Sequence, residues 1–352
     1  MFHCLIICLA GAPLSEQEAL AGWLDLLDGK GFGWTQRDGW TSEPTGWKAG
    51  EKAVARHGAI LGPCKAAVRV KATGPNPALS LNWIAPDGTK TSFVWKPDGI
   101  NAESPVWSPD LGKVPAGSLE LLGSGVHVSE LRLLPNASTG LINGKDLSGW
   151  NVFPNKKSRY SVTKEGYIHV EDGPGDIQSS FQAADFVARL TVRTNGKHLN
   201  SGLFFRAIPG EFTQAYEAQI RNEFTPGESR EYKVDKFDPA THQPAGSSMV
   251  RSEAIDFGTG AIYRRVPARS QASKDGSWFT MTVAAHGRRM ATWVNGIQQV
   301  DWTDNRPANP NPRQGFRAAQ GAFSLQGHDP TTNIDFRSLD IQVLDPSPKT
   351  RD

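Results

Sequence analysis

The sequence predicts an all-β protein built as a β-sandwich or jelly roll, and three observations support that class. From about residue 50 onward, short runs alternate apolar and polar residues, as half-buried strands do. Glycine and proline, with 36 and 24 copies, punctuate these runs with turn signals. Helical periodicity is scarce. The one predicted helix runs from Ser15 to Leu27, and Glu18 completes a capping box with Ser15.

The individual strands are bounded by turn residues, and two hairpins are nearly explicit. In "APDGT" an Asp-Gly pair joins two alternating runs, and residues 278–302 contain His286-Gly287 and Asn295-Gly296 turns. Many short antiparallel strands with such turns are typical of a sandwich. Further alternating runs occur at residues 65–72, 78–96, 127–134, 185–194, 201–208, 215–221 and 334–344.

A repeated phrase indicates two related units in tandem. "LLDGKGFGW" at residues 26–34 and "LINGKDLSGW" at 141–150 share an apolar pair, Gly-Lys and Gly-Trp. The stretches that follow close with similar strands, "VSELRLLP" and "FRSLDIQVLDP". Because the first and last strands of a jelly roll commonly lie close together, matching ends are what a repeated sandwich would retain. We therefore predict a small β-sandwich-like domain at 20–134, a linker at 135–140 and a larger jelly-roll domain at 141–346.

Composition and the N-terminal sequence indicate which partners and which cellular location to expect. The formal net charge is only +2, and no dense run of lysine and arginine suggests nucleic acid as a partner. The apolar run from Phe2 to Ala12 is too short to span a bilayer but suits a signal-peptide core. We expect a signal peptide at 1–12 and export to the periplasm or beyond. Cys64 would then stand alone, which leaves no internal disulfide and no thiolate metal cluster.

Strand alternation places polar side chains on one open face. In "AYEAQIR", Tyr216, Ala218 and Ile220 face the predicted core, and Glu217 and Gln219 face outward. A carboxylate, amides, a guanidinium and an indole on one face form the composition of a sugar site. Neighbouring strands contribute to the same face Arg206, Trp293, Ser324, Gln326 and His328.

Each of these residues also has a structural interpretation. Glu217 and Arg206 would also fit a cross-strand ion pair on a solvated sheet face. Trp293 would equally fit a core position, and His328 an ordinary loop position. For Tyr263 in "TGAIY" the sequence favours neither interpretation.

An ordered set of motifs in the second stretch resembles the 3-keto-disaccharide hydrolase family. The set begins with "LINGKDLSGW", "NSGLFFR" and "YEAQI" and continues through "TGAIY", "WFTMTVAAHGRRMATWVNG" and "GAFSLQGHD" to "IDFRSLDIQVL". The resemblance covers roughly residues 137–346 and implies a concanavalin-A-like jelly roll of the lectin and glucanase type. It also implies an exported bacterial protein that processes carbohydrate. The chain departs from the family at "RNE", residues 221–223, where members often carry an acidic pair.

The resemblance implies a specific reaction. A ketone at C3 of a glycoside acidifies the C2 hydrogen, so a base forms an enolate that expels the group at C1, and water then adds to C1. We expect Glu217 or His328 to transfer protons and Arg206 to stabilise the enolate oxygen. A divalent metal would be an alternative to Arg206, and no other cofactor is indicated. The residues expected to hold the sugar are Gln219, Gln326, Trp293, Tyr263 and Asn200.

No dinucleotide fingerprint is visible, so a separate sugar 3-dehydrogenase would make the oxidised glycoside.

Two further hypotheses about the function remain open at this level. A non-catalytic, lectin-like carbohydrate-binding surface protein would use the same sandwich, because a fold does not fix a function. A purely structural pair of surface domains is the third interpretation.

Overall fold

A computed structural model of the chain describes residues 13–27, 31–97 and 106–344. The described residues form two compact units. The first unit contains Trp23–Asn136 together with residues 13–19, and the second contains Ala137–Leu344 together with Leu20–Gly22. The predicted signal peptide at 1–12 lies outside the described residues.

The helix α1 (Glu16–Ala21) begins where the capping box predicts and ends earlier than predicted. The Glu18 amide donates to Ser15 Oγ (3.2 Å), and the Ser15 amide donates to the Glu18 carboxylate (2.8 Å). Gly22 follows with φ of 92°, a left-handed conformation that commonly ends a helix. The helix ends earlier than predicted because the buried Leu24 that follows belongs to a two-residue strand and not to a further helical turn.

The first unit is one antiparallel sheet of nine strands. Its strand order is β6-β5-β8-β3-β9-β4-β7, with β1 paired to β9 and β2 paired to β3. The last strand of the unit, β9, thus lies inside the sheet and also holds the first strand. The strands are β1 (Leu24–Asp25), β2 (Trp34–Glu43), β3 (Gly46–His57), β4 (Cys64–Ala72), β5 (Ala78–Ile84), β6 (Lys90–Trp95), β7 (Asp110–Leu111), β8 (Ser118–Ser124) and β9 (Val126–Pro135).

The strands of the second unit, β10 to β24, form two large sheets and one separate hairpin. The strands are β10 (Thr139–Gly140), β11 (Trp150–Val152), β12 (Arg159–Val162), β13 (Ile168–Glu171), β14 (Gly175–Ala183), β15 (Phe186–Thr194), β16 (Asn200–Ala207), β17 (Tyr216–Arg221), β18 (Arg230–Phe237), β19 (Pro244–Ser252), β20 (Phe279–His286), β21 (Arg289–Val294), β22 (Ile297–Thr303), β23 (Gly321–Gly327) and β24 (Asn333–Val343).

Two large sheets of the second unit enclose one core. The eight-stranded sheet has the order β12-β13-β24-β15-β20-β21-β22, with β10 paired to β24, and the five-stranded sheet has the order β11-β14-β23-β16-β17. Strands β18 and β19 form a separate hairpin. A single apolar cluster, which includes Leu203, Phe205, Ile220, Met281 and Phe336, draws on both sheets. The predicted all-β, concanavalin-A-like jelly-roll class is therefore confirmed.

The predicted alternation holds along the two strands that matter most for function. Tyr216, Ala218 and Ile220 of β17 belong to the apolar cluster, as do Phe323 and Leu325 of β23. The intervening side chains therefore leave the five-stranded sheet on its other face.

The repeated Gly-Trp phrase makes the same hydrogen bond in both units. The Trp34 indole N–H donates to the Leu26 carbonyl (2.6 Å), and the Trp150 indole N–H donates to the Leu141 carbonyl (2.9 Å). The accepting residue is the first of the phrase in each case, so each tryptophan anchors the chain entering its unit.

Candidate active site

The outward face of the five-stranded sheet carries a group of polar side chains that are themselves buried. The register pairs Asp176 of β14 with Gln326 of β23, and it pairs Gly202 of β16 with Gln219 of β17. Asp176 is 1% exposed and Gln219 is 1% exposed. Buried polar groups on the face opposite the core indicate a lined depression above the sheet.

Glu217 is the buried carboxyl that β17, the last strand in the order of this sheet, contributes to the outward face. Its side chain is 6% exposed and leans over Gly202, where an added Cβ would lie 2.9 Å from the carboxyl oxygen Oε1. Arg313 Nη2 lies 3.4 Å from Glu217 Oε2. Tyr263 donates its amide to the Glu217 carbonyl (2.9 Å), and both residues line a cavity of about 270 Å³ together with Arg313 and Arg264. Glycine at 202 thus provides the space that the Glu217 carboxyl occupies.

Asp176 is a second buried carboxyl beside the same arginine. Its Oδ2 accepts a hydrogen bond from the Thr213 amide (3.3 Å), and its Oδ1 has no hydrogen-bond partner among the described residues. Arg313 Nε donates to the Thr213 carbonyl while Nη2 reaches Glu217. Arg313 and Thr213 therefore connect the two carboxyl groups through a short chain of contacts.

The pKa values of both carboxyls lie far above the usual range. Burial raises the pKa of Asp176 to about 7, because the charged form loses its hydration. Burial also raises the pKa of Glu217 to about 8, and the negative charges of Asp176 and Asp256 add to that rise, while Arg313 opposes it. Near neutral pH the pair consequently holds both a proton and a negative charge, the combination that one acid and one base require.

Three amide side chains supply hydrogen-bond acceptors around the carboxyls. Asn200 Nδ2 donates to Asp256 Oδ2 (2.8 Å), and Gln219 Nε2 donates to the Asp256 carbonyl (2.9 Å). Asn200 Oδ1, Gln219 Oε1 and Gln326 Oε1 are buried and have no partner among the described residues. A buried acceptor without a donor costs about 1–3 kcal/mol, so ligand hydroxyls or water would satisfy them. The structure thus places Asn200 and Gln219 against Asp256, whose charge also acts on Glu217.

Arg206 does not belong to this site, which corrects the prediction that it stabilises an enolate. The pairing of β16 with β23 shifts register after Phe204, and Arg206 adopts a positive φ of 48°. The guanidinium is 0% exposed and donates to the carbonyls of residues 184, 287 and 317 and to the Asp185 carboxylate. Every one of these acceptors belongs to the protein, so Arg206 is a structural residue.

Trp293 and His328 are also not brought to the Glu217 cavity. Trp293 is 0% exposed and lies on β21 of the eight-stranded sheet, so the prediction that its ring covers a sugar is wrong. His328 follows the end of β23 and is exposed, and its Nδ1 lies 2.9 Å from Asp329 Oδ2. Neither His328 nor Asp176 lines the cavity, but the charge of Asp176 acts on the pKa of Glu217. Asp176 is therefore a titratable group close to Glu217 that the sequence analysis did not name.

Sequence reasoning missed Asp176 and Arg313. Asp176 stands in "GDIQSS", where the buried Ile177 alternates with Asp176 and Gln178, so a strand assignment there would have placed Asp176 on the outward face. Arg313 lies between β22 and β23 in a segment without regular strands, and no local pattern in the sequence marks it.

Neither a cluster of metal-ligating side chains nor a membrane-spanning helix occurs in the part of the chain that the structure describes. Within residues 13–27, 31–97 and 106–344, no group of three or more histidine, cysteine, aspartate or glutamate side chains is arranged to hold a metal ion. No helix in the same ranges is long and apolar enough to cross a membrane.

Comparison with known proteins identifies the second unit. The sequence profile of the 3-keto-alpha-glucoside-1,2-lyase-like domain matches residues 137–342, which is more than half of the chain. Among solved structures, a candidate glycosyl hydrolase of Parabacteroides distasonis aligns with 20% identity and a TM-score of 0.43, over 58% of this chain and 93% of its own. No curated protein matches the sequence closely enough to count as a relative.

Two other structures show more distant similarity. A carbohydrate-binding module of Bacillus subtilis aligns with 15% identity and a TM-score of 0.32, over 56% of this chain and 94% of its own. A β-glucanase of Bacillus licheniformis aligns with 12% identity and a TM-score of 0.33, over 59% and 98%. The family assignment therefore rests on the sequence profile.

Proposed function

Because the chain belongs to the 3-keto-alpha-glucoside-1,2-lyase-like family, we propose that its second unit cleaves 3-keto-glycosides by C2 proton abstraction, elimination at C1 and hydration. The observation that carries the proposal is the buried pair of Asp176 and Glu217. This reaction needs one group to accept a proton and another to donate one near neutral pH. Two carboxyls with pKa values of about 7 and about 8 meet that requirement.

The first half of the reaction is an elimination. Asp176, whose Oδ1 has no hydrogen-bond partner among the described residues, takes the hydrogen from C2, and the electron pair of that C–H bond forms the C1–C2 double bond. The bond from C1 to the leaving oxygen breaks, and Glu217, still protonated, gives its proton to that oxygen. The C3 ketone carries enolate charge during this step, and Arg313, which contacts Glu217, is the cation available to stabilise it.

The second half adds water across the new double bond. The Glu217 carboxylate takes a proton from water as the water oxygen bonds to C1, and Asp176 returns its proton to C2. Both carboxyls regain their starting states, and the sum of the two halves consumes one water molecule. The acceptors Asn200, Gln219 and Gln326 would hold sugar hydroxyls throughout.

The ketone must be supplied by a separate oxidation at C3 of the sugar. The proposed chemistry neither forms nor consumes that oxidation state, so a sugar 3-dehydrogenase is the class of enzyme that would precede this one. The predicted signal peptide extends the proposal to a site of action outside the cytoplasm.

The proposal is tested with 4-nitrophenyl 3-keto-glucoside and the same glucoside unoxidised. We expect release of nitrophenol above the spontaneous rate from the keto form only. Replacing either Asp176→Asn or Glu217→Gln should lower kcat about 100-fold or more, the usual contribution of a general acid or base. Glu211→Gln, an exposed carboxyl in a turn of the same unit, is the matched control and should leave kcat unchanged.

A kinetic isotope effect tests whether the C2–H bond breaks during turnover. A substrate that carries deuterium at C2 should release nitrophenol more slowly than the unlabelled substrate does, because the elimination breaks that bond. Release from the unoxidised glucoside at a comparable rate would contradict the elimination. Binding of the keto form without turnover would favour the lectin-like alternative.

A further inference from the structure

A second cavity continues from the Glu217 cavity beneath the hairpin β18–β19. Its volume is about 520 Å³, and its walls are the hairpin and residues between 302 and 314. Arg264, Arg265 and Arg313 line both cavities, so the two spaces adjoin. We call this second space the hairpin groove. Any group attached to a sugar in the first cavity would leave through it or beside it.

Cationic side chains outnumber anionic ones in the hairpin groove. Arg306 is already matched, because its Nε and Nη2 donate to the two oxygens of Asp304 (2.8 and 2.7 Å). Arg264 and Arg265 have no carboxylate within ion-pair distance among the described residues. Two acidic residues, Asp235 and Asp238, also line the groove, and Lys236 adds a further positive charge.

The two acidic residues form no ion pair with Arg264 or Arg265 among the described residues. Asp238 accepts hydrogen bonds from the amides of Ala240 and Thr241 within its own turn. The Asp235 side chain is 60% exposed and lies 3.7 Å from Lys233 Nζ. Arg264 and Arg265 are therefore cations of the groove that have no ion-pair partner among the described residues.

Arg265 is held in a place that disfavours its charge. Its Nη2 donates to the Arg313 carbonyl (2.6 Å), which fixes the side chain across the groove. Burial and the nearby Arg306 charge lower the pKa of Arg265 to about 10, and the charges of Asp304 and Asp235 offset only part of that shift. An anion bound in the groove would stabilise the charged form of Arg265 further.

Arg264 lines both the hairpin groove and the Glu217 cavity. Its guanidinium lies over the Tyr263 ring, 5.3 Å from the ring centre, and its side chain is exposed to the groove. Trp302 also lines the groove, and its ring centre lies 5.8 Å from the Arg306 guanidinium. A cation pair beside an indole fits a ring that carries an oxyanion.

We propose that the hairpin groove binds the leaving group of the substrate and selects one that carries an oxyanion, such as a carboxylate. This inference rests on the proposed function. Arg264 and Arg265 would contact the oxyanion, and Trp302 would contact the ring that bears it. The groove would thereby set the preference among 3-keto-glycosides, while Asp176 and Glu217 carry out the chemistry.

The test compares two substrates that differ only in charge: the 3-keto-glucosides of 4-hydroxybenzoate and of its methyl ester. The ester is the better leaving group because it withdraws electrons more strongly than the carboxylate does. A higher kcat/KM for the carboxylate would therefore report binding rather than intrinsic reactivity. We expect Arg264→Gln to lower the carboxylate-to-ester ratio of kcat/KM about tenfold, the effect of one charge-assisted hydrogen bond.

The matched control is Arg251→Gln, which removes an arginine from β19 of the same hairpin. Arg251 is paired with Glu231 and does not line the groove, so the ratio should stay at its wild-type value. The ratio is the chosen measure because Arg264 also acts on the pKa of Glu217, an effect common to both substrates. A wild-type ratio of one or less, or a ratio that Arg264→Gln leaves unchanged, would overturn the proposal.

A binding measurement separates failure of this proposal from failure of the proposed function. If neither keto-glucoside is cleaved, the proposed function fails, and calorimetric binding of the two unoxidised glucosides still tests the groove. Tighter binding of the carboxylate form that Arg264→Gln abolishes would support the groove on its own. Equal binding of the two forms would overturn it.

Discussion

Replacing Glu217 with glutamine should stabilise the protein, and the gain should grow with pH. The folded protein keeps Glu217 protonated up to its raised pKa of about 8, whereas the unfolded chain ionises it near the ordinary value of 4.5. Between these values the folded state binds the extra proton, so the stability of the wild type falls as pH rises. Glutamine carries no such proton, and Glu217→Gln therefore escapes this loss.

The expected size follows from the same pKa. Each pH unit between the two values is worth about 1.4 kcal/mol, so the advantage of the variant should grow by about 3 kcal/mol between about pH 5 and about pH 7. The unit that contains Glu217 must be followed by itself, because the chain has two units. Urea unfolding read by brief proteolysis, with fragments of residues 137–344 identified by mass spectrometry, gives that free energy at each pH.

A constant difference between variant and wild type over this range would refute the reasoning. It would mean that Glu217 ionises in the folded protein as it does in the unfolded chain, and its proposed role as an acid near neutral pH would then be lost. Glu211→Gln serves as the control, because that exposed carboxyl should give a difference near zero at every pH.

Two further substitutions test the neighbours of this carboxyl. Gly202→Ala places a Cβ 2.9 Å from the Glu217 carboxyl oxygen, so we expect kcat on the keto-glucoside to fall about tenfold or more; an unchanged kcat would show that the carboxyl is not held there. Arg206→Met removes an ion-pair partner of Asp185, which keeps the Gly287 amide as a donor, and removes a donor from three carbonyls, so urea unfolding should show a loss of about 3–5 kcal/mol. The KM of the folded variant should match the wild type, and a raised KM would return Arg206 to the site.

The sequence was sufficient to predict which face of a sheet a side chain occupies wherever apolar and polar residues alternate without interruption along the strand. Glu217 and Gln219 could be assigned to the outward face because apolar residues alternate with them without interruption in β17. The same logic failed at Arg206, because one register shift and one positive φ turn the side chain away from the face that counting assigns to it. Such an irregularity has no signature in the local pattern of polarity.

Sheet membership and loop placement were not predictable in the same way. Trp293 alternates correctly within β21, yet β21 belongs to the eight-stranded sheet and Glu217 to the five-stranded sheet, which local alternation does not distinguish. Arg313 reaches Glu217 from an irregular segment whose path depends on tertiary contacts, among them the Arg306 hydrogen bonds to the carbonyls of Pro312 and Gly315. The contact of Arg313 with Glu217 and the proximity of Asp176 therefore became visible only in three dimensions.

The position of the last strand in each unit has a consequence for synthesis on the ribosome. Strand β24 lies between β13 and β15, and β9 lies between β3 and β4. Each sheet therefore lacks an internal strand until the last strand of its unit has been synthesised. Until then the strands on either side would present unpaired edges, which tend to associate with other chains. A nascent chain that stalls a few residues short of β24 therefore lacks the centre of a sheet, and a premature stop there would remove the whole second unit from use.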